Sequence, residues 1–338
     1  MRFLITGHTG FKGAWLSLML KKMGHEVSGL SLEPIPGSLF EFFDASSIFT
    51  HTLIGDIRSA HEVREALQVV KPQVIVHLAA QALVRESYRD PVFTFETNVN
   101  GTHILLKSLA ALENPPLTLM ITTDKVYAND GRRSGYKEDD ELGGKDPYSS
   151  SKAVADLLIQ AWQSINPNLS LGIARAGNVI GGGDVSKERL LPDVIRSMNE
   201  GKPVVLRNPS AIRPWQHVLD CLAGYIKLIE YMTIHQGSVG AWNFGPREED
   251  VRTVSDVTEK VADVWGVSTA WQHSADSQMP EAETLLLDSG KARSKLSWND
   301  KLNFDHAVEW TVNWHQRVNR GTTVRQAMEE DVDEFLQL

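Results

Sequence analysis

Two short stretches of this chain bring together side chains able to move protons. Tyr148 and Lys152 stand four residues apart in Tyr-Ser-Ser-Ser-Lys, a spacing that puts both on one face of a helix, one turn apart. An ammonium there favours the phenolate and lowers the tyrosine pKa, giving a base usable near neutral pH. Thr123-Asp124-Lys125 sets a hydroxyl, a carboxyl and an ammonium in succession. A third stretch, Gly7-His8-Thr9-Gly10-Phe11-Lys12-Gly13, carries no acid or base of that kind. Its glycines permit a tight turn and close approach of a phosphate to a helix N-terminus. The spacing is G-x-x-G-x-x-G, one residue longer at the start than the G-x-G-x-x-G dinucleotide fingerprint.

These stretches are useful only if the chain brings them together, and the elements around them predict that it does. Arg2–Thr6, Glu26–Leu30, Gln73–His77, Leu117–Thr122 and Leu169–Ala174 read as short apolar strands. Between them, Phe11–Met23, Val63–Val70, Pro91–Leu112 and Tyr148–Trp162 read as helices. Apolar strands alternating with helices predict a doubly wound, Rossmann-like α/β fold with a parallel sheet covered on both faces. Ligands in such sheets bind at the carboxyl ends of the strands. The glycine loop, the small residues Leu78-Ala79-Ala80 with Gln81 after the third of these runs, and Thr122 to Lys125 should therefore share one crevice, in which Ala79 and Ala80 leave room for a flat cofactor. The second strand ends at Ser31, whose hydroxyl can bond a ribose where a carboxylate is usual; no arginine stands there, so NAD is expected over NADP. Asp56 of Gly55-Asp56-Ile57 reads either as an acceptor for an adenine amino group or as a helix cap. After Gly181-Gly182-Gly183 the pattern mixes helices and short strands, and seven of the nine tryptophans lie beyond residue 200. A dinucleotide-binding unit over 1–180 and a smaller, mainly substrate-binding mixed lobe over 181–338 are expected, with later segments able to return to the sheet.

Other functions are disfavoured. The net charge of −9 argues against a general nucleic-acid binder, which would carry a basic face. The one cysteine, Cys221, allows no disulfide or cysteine zinc site within the chain. His77 has no other ligand at metal spacing and is expected to be a satisfied core histidine, so no metal is expected. The glycines and Lys12 interrupt the N-terminal apolar run before it reaches signal-peptide length, and no run of about 18 apolar residues suggests a membrane span. A cytoplasmic protein is the expectation.

The stretches GHTGFKGAWLSLML (7–20), GDIR (55–58), HLAAQALVRESYRDP (77–91), ETNVNGT (96–102), TTDKVY (122–127), DPYSSSK (146–152), ARAGNVIGGGD (174–184), RPWQHV (213–218) and WNFGP (242–246) resemble the extended short-chain dehydrogenase/reductases, the NAD-dependent epimerases and dehydratases. Within that family they are most similar to the 4,6-dehydratases acting on CDP-glucose, where Lys follows the Asp of the Asp124-Lys125 pair; the dTDP-glucose enzymes have Glu there. Thr122 and Val126 stand where many relatives have Ser and Cys.

The resemblance implies a tightly held, recycled NAD contacted by Gly7, Thr9, Gly10, Phe11, Lys12, Gly13, Ser31, Asp56, Ile57, Leu78, Ala79, Ala80, Asn98, Thr122, Tyr148 and Lys152. It implies that Tyr148 takes the proton of the sugar 4-hydroxyl, Thr123 bonds that hydroxyl, and Lys152 assists Tyr148 and the nicotinamide ribose. Asp124 would protonate the departing 6-hydroxyl and Lys125 would remove the C5 proton, giving a nucleotide-linked 4-keto-6-deoxy sugar. Asn178 and Arg213 are the main candidates for the substrate diphosphate, since arginine offers a planar fork to phosphate oxygens; Lys187, Arg189 and Arg207 are secondary. Gln81, His217 and Trp242 complete the substrate set, although a core position is the simpler reading of Trp242. A homodimer or homotetramer built on the 91–112 and 147–165 helices, and a place in deoxysugar biosynthesis such as O-antigen lipopolysaccharide, are also implied. Two other readings share the motifs: a nucleotide-sugar 4-epimerase, which needs no Asp124-Lys125 pair, and a dinucleotide-sensing regulator, which needs neither Tyr148 nor Lys152.

Overall fold

A computed structural model describes residues 1–42, 44–235, 237–268, 271–273 and 284–338. Its centre is a parallel sheet whose seven strands we label β1 (Arg2–Thr6), β2 (Glu26–Ser31), β3 (Phe49–Ile54), β4 (Val74–His77), β5 (Leu117–Ile121), β6 (Leu171–Ala176) and β7 (Gly240–Phe244), in the spatial order β7-β6-β5-β4-β1-β2-β3. The strands are buried on both faces because alternate side chains serve different cores. Phe3 and Ile5, Val74 and Val76, and Leu119 and Ile121 join the core that contains helix α1 (Phe11–Lys22) and the late helices. Leu4, Ile75 and Met120 join the core formed with the helices Ala60–Val70, Thr102–Ala110 and Pro147–Ile165. A period of two with both sets apolar is the pattern of a doubly covered parallel sheet.

The expected strands lie within a residue or two of the observed ones. β7 comes from the late part of the chain and extends the sheet beside β6, with Trp242 opposite Ala174; its partner is 60 or more residues away in sequence, so local patterning carries no mark of the pairing. The expected long helix from Pro91 to Leu112 is helical but not uniform. An α-turn over Pro91–Phe95 widens to a π-helical stretch at Glu96–Gly101 before α-geometry returns at Thr102. The Thr102 hydroxyl donates to the Asn98 carbonyl (2.7 Å) in that widened stretch.

All strands being parallel, their carboxyl ends lie along one edge. That edge carries the glycine loop after β1, Ser31 at the end of β2, Leu78 after β4, Thr122 after β5 and Gly177-Asn178 after β6.

Candidate active site

The three loop glycines do different work. Gly7 turns the chain at φ +78°, and its N–H donates to the Leu30 carbonyl (2.8 Å). A Cβ there would also lie 2.8 Å from the backbone nitrogen of Ala79. Gly13 lies in the first turn of α1, where a Cβ would fall 2.2 Å from the Gly7 carbonyl oxygen, so only glycine lets the helix start this close to the turn. Gly10 is the N-cap of α1, with no side-chain cap and no acidic residue in the first turn. By contrast Ser59, Asp146, Thr253, Asn303 and Thr323 cap their helices with side chains. An uncapped helix start behind a glycine turn leaves free N–H groups and a positive dipole end, which suits a pyrophosphate.

Around this cradle, Thr9 Oγ1 and Ser31 Oγ are 2.7 Å apart, and Thr9 also donates to the Leu32 carbonyl (3.2 Å). The Asp56 carboxylate is neither free nor a helix cap. Arg58 grips both of its oxygens (3.0 Å to Oδ1 and 2.5 Å to Oδ2), and Ser59 caps the following helix. Ile57 is buried, and a Cβ on Gly101 would lie 2.8 Å from it. Leu78, Ala79 and Ala80 are half-buried along the cleft. Asn98 and Gln81 face each other instead of a ligand. The Gln81 N–H donates to Asn98 Oδ1 (2.8 Å), and Asn98 Nδ2 donates to the Gln81 carbonyl (3.0 Å) and to Ser151 Oγ (2.9 Å). The Gln81 side chain is taken up by Leu83 and Thr94. The pair braces the loop after β4.

The helix Pro147–Ile165 presents Tyr148. Its start is fixed by Pro147 at the first helical position, by the Asp146 carboxylate accepting from the Ser149 N–H (2.9 Å), and by Ser87 Oγ accepting the N–H of Tyr148 itself (3.0 Å). Lys152 is buried one turn on, and its ammonium donates to the Ile121 carbonyl at the end of β5 (3.0 Å). The expected lowering of the tyrosine by this ammonium does not appear in the chain alone. Burial pushes the Tyr148 phenol up to about 12, and the opposing influences are the Thr123 hydroxyl and the Arg189 charge. Burial pushes Lys152 down to about 8, with Asp156 raising it and Lys12 lowering it. Desolvation outweighs the neighbouring charges at both groups.

Thr123, Asp124 and Lys125 follow β5. Thr123 donates to Asp124 Oδ1 (2.9 Å), while Asp124 Oδ2 is buried without a hydrogen-bond partner. Burial raises the Asp124 pKa, against Lys125, the Thr123 hydroxyl, Arg213 and Lys12, which all pull it down. A buried, partly unsatisfied carboxyl is poised to hold a proton and give it up. Lys125 is half-buried, and its ammonium makes no hydrogen bond or ion pair among the described residues. Lys12 reaches from α1 to Tyr225 (3.3 Å) and so brings a second cation near the group. The Thr122 hydroxyl donates to Asp156 (2.9 Å).

Beneath these residues lies a polar assembly that sequence reading missed. Asp156 takes two hydrogen bonds from Arg175 of β6 (2.9 and 2.8 Å) as well as the one from Thr122, and both charged side chains are almost completely buried. Arg175 also donates to the Tyr127 hydroxyl and the Glu138 carbonyl. The signals were present: Asp156 continues the four-residue spacing of Tyr148 and Lys152, and Arg175 is a lone charge inside an apolar strand.

The substrate candidates divide. Arg213 is buried and its charge reaches Asp124. Arg189 pairs with Asp184 (3.2 Å) and acts on Tyr148. Arg207 is half-buried and donates to the Glu188 carbonyl (3.3 Å). Asn178 is half-buried, its carbonyl accepting from Gln216, and Lys187 is exposed. His217 is wholly buried against Trp310, caps the helix Val218–Ile234 and is pushed by burial down to about 3. Trp242 sits in mid-strand, 2% exposed, with its indole donating to the Val239 carbonyl. Both side chains are buried. His77 is the satisfied core histidine expected, held between Thr6 (2.7 Å) and Thr102 (3.2 Å). Among the described residues no His/Cys/Asp/Glu cluster could hold a metal ion.

The chain is 39% identical to the CDP-glucose 4,6-dehydratase of Salmonella typhimurium over 99% of its own length and 96% of that protein's. Among solved structures, DesIV, a dTDP-glucose 4,6-dehydratase from Streptomyces venezuelae crystallised with NAD, superposes with a TM-score of 0.83 at 26% identity, covering 95% of this chain and 98% of the other. The UDP-glucose 4-epimerase of Bifidobacterium longum, at 20% identity, superposes with a TM-score of 0.84 over 95% of this chain and 99% of that one, which is a likeness of fold. The family model for NAD dependent epimerases and dehydratases matches residues 3–243, from β1 through most of β7. With its sheet, its glycine turn and its Tyr-Lys helix all inside that match, the chain belongs to the NAD dependent epimerase/dehydratase family.

Proposed function

We propose that this protein is an NAD-dependent CDP-glucose 4,6-dehydratase, converting CDP-glucose to CDP-4-keto-6-deoxyglucose. The observation that carries the reading is the Thr123-Asp124-Lys125 group beside Tyr148, in which Asp124 keeps one carboxylate oxygen buried and unpartnered. A 4-epimerase has no use for such an acid, and a regulator has no use for the whole set. The substrate follows the Salmonella typhimurium relative and the lysine after Asp124.

The cradle fits NAD: a glycine turn with no space for Cβ, an uncapped helix start, and the Thr9–Ser31 hydroxyl pair at the ribose end. When bound, NAD supplies hydride acceptance from sugar C4 and hydride return to C6. The chain's own groups handle the protons. The Tyr148 oxygen takes the 4-hydroxyl proton, with Thr123 aligning that hydroxyl. The resulting 4-ketone acidifies the C5 hydrogen, which Lys125 removes as Asp124 protonates the leaving 6-hydroxyl. Lys152, held to the Ile121 carbonyl, supplies positive charge to the phenolate side of the site. Arg213 and Asn178 hold the diphosphate, with Arg189, Arg207 and Lys187 around it.

We assign the dinucleotide unit to residues 1–180 together with β7, and the substrate lobe to the remainder after 181. Exposed apolar side chains on adjoining helical segments, Val92, Phe95, Val154 and Leu157, support a homodimer or homotetramer. No helix among the described residues is long and apolar enough to cross a membrane, in keeping with a cytoplasmic enzyme of deoxysugar biosynthesis.

The test is incubation of the purified protein with CDP-glucose, dTDP-glucose, UDP-glucose and GDP-mannose separately, with products followed by NMR. A 4-keto-6-deoxy product from CDP-glucose alone is expected. Turnover of another nucleotide sugar instead would keep the reaction and overturn the substrate. A C4 epimer with no loss of water would overturn the dehydratase. A separate expectation concerns the cradle: Gly13→Ala, which drives a methyl into the Gly7 carbonyl, should lower stability by about 1–3 kcal/mol and weaken NAD binding, read by denaturant melts and NAD titration.

A further inference from the structure

Glu188 holds a backbone conformation that no helix end requires. Three non-glycine residues have positive φ among those described: Lys71, Ser297 and Glu188, the last at +63°. Lys71 and Ser297 each close a helix at its C-terminus, where the left-handed region is the ordinary solution. Glu188 closes nothing. It stands one residue before Arg189, the N-cap of the helix Leu190–Glu200, and a side chain with a β-carbon is disfavoured there.

Its side chain and carbonyl account for the conformation. The carboxylate bridges Arg89 (2.9 Å) and Arg85 (3.4 Å), which lie four residues apart on the short helix Val84–Arg89, and the carbonyl accepts from Arg207 (3.3 Å). The same short helix carries Ser87, wholly buried, whose hydroxyl oxygen accepts the Tyr148 N–H. One six-residue helix thus touches the backbone of the proposed base on one side and Glu188 on the other. On the far side of Glu188, Arg189 is held by Asp184, and its charge acts on the Tyr148 phenol.

We propose that Glu188 is a positioning residue: its bridge to Arg85 and Arg89 pins the 184–190 segment to the helix that seats Tyr148, and so keeps Arg189 within electrostatic reach of the reacting phenol. This rests on the reading of Tyr148 as the base. The other groups that act on Tyr148 are the Thr123 hydroxyl and the titratable Asp124, Asp146 and Tyr225, with Lys152 one turn along its own helix. None of them touches Glu188 in a hydrogen bond or ion pair, so altering Glu188 leaves them in place.

The experiment compares Glu188→Gly, Glu188→Gln and Tyr148→Phe in the full chain loaded with NAD. Glycine takes a positive φ without strain, so Glu188→Gly is expected to melt no lower than the parent. Its kcat/KM on CDP-glucose is nevertheless expected to fall about three- to tenfold, the scale of two partly exposed ion pairs. The acid limb of its pH profile is expected to move to higher pH, because Arg189 no longer favours the phenolate. Glu188→Gln keeps the size and loses the charge, and should move both readouts the same way. Parent-like kcat/KM and an unmoved acid limb in Glu188→Gly, with Tyr148→Phe inactive, would overturn the latch alone. A drop in melting temperature that accounts for the lost activity, with no pH shift, would make Glu188 structural and overturn it as well. Parent-like turnover by Tyr148→Phe would instead overturn the base assignment on which the latch depends.

Discussion

Replacing Tyr148 by Phe should reduce kcat on CDP-glucose by about 10²–10⁴-fold, the usual contribution of one general acid–base group, with little change in NAD binding. The hydroxyl is the only atom lost, and the ring continues to fill its buried place at the start of the tyrosine helix. The pH profile carries a second part of this expectation. Tyr148 accepts a proton only as phenolate, and burial holds it protonated, up to about 12, against Thr123 and Arg189. The rate should therefore rise with pH through the neutral range. Lys152, pushed down to about 8 by burial, loses its positive charge above that value, which offsets the growing phenolate fraction, so the rise in kcat/KM should level off as pH passes about 8. Steady-state rates from pH 5.5 to 9.5 check both the rise and the levelling. A profile still climbing past pH 9 would mean that Lys152 charge does not assist the base.

The second large effect is on stability. Asp156→Asn keeps the shape of the side chain and removes the charge that balances Arg175, with the two side chains 0% and 1% exposed. Breaking a buried ion pair from one side leaves the other charge uncompensated, at a cost of about 3–5 kcal/mol. A comparable loss is expected in guanidinium unfolding at neutral pH. The site should feel the change as well. Asp156 raises the pKa of Lys152 and takes the Thr122 hydroxyl at the end of β5. Without its charge, Lys152 should discharge at lower pH, moving down the pH at which the rate stops rising. Loss of stability with that levelling point unmoved would confine Asp156 to a structural role.

Much of the site was legible because a parallel sheet obeys one geometric rule. Once Arg2–Thr6, Gln73–His77 and Leu117–Thr122 are read as strands, the residues after each must meet at one edge. The glycine loop, Ala79, Thr123 and Asp124 do follow the strand ends along that edge. Helix spacing likewise aligned Lys152 with Tyr148. What stayed hidden depends on partners distant in sequence. The bracing of the loop after β4 by the Asn98 side chain, which bonds the Gln81 backbone, shows only once the two segments are brought together. Whether His217 or Trp242 lines a pocket depends on what Trp310 and the Val239 carbonyl bring to them. The tyrosine pKa was misjudged for a related reason. The i,i+4 pattern shows the ammonium of Lys152, but it shows neither the burial that outweighs it nor the Ile121 carbonyl that receives it. The Asp156–Arg175 pair joins the tyrosine helix to β6 across the fold, so the helix spacing of Asp156 and the lone charge of Arg175 are each visible locally but their pairing is not, and Glu188 meets Arg89 from 99 positions away with no local mark.

The central claim is that oxidation at C4, loss of water across C5 and C6, and return of the hydride to C6 occur in one site. The most direct test is turnover of CDP-glucose carrying deuterium at C4, in ordinary water, with the product examined by NMR and mass spectrometry. The account predicts a 4-keto-6-deoxy sugar with the deuterium retained in its C6 methyl group and a solvent proton at C5. Deuterium still at C4 of a sugar that keeps its 6-hydroxyl, with inversion at C4, would contradict it and would leave Asp124 and Lys125 without the roles given to them.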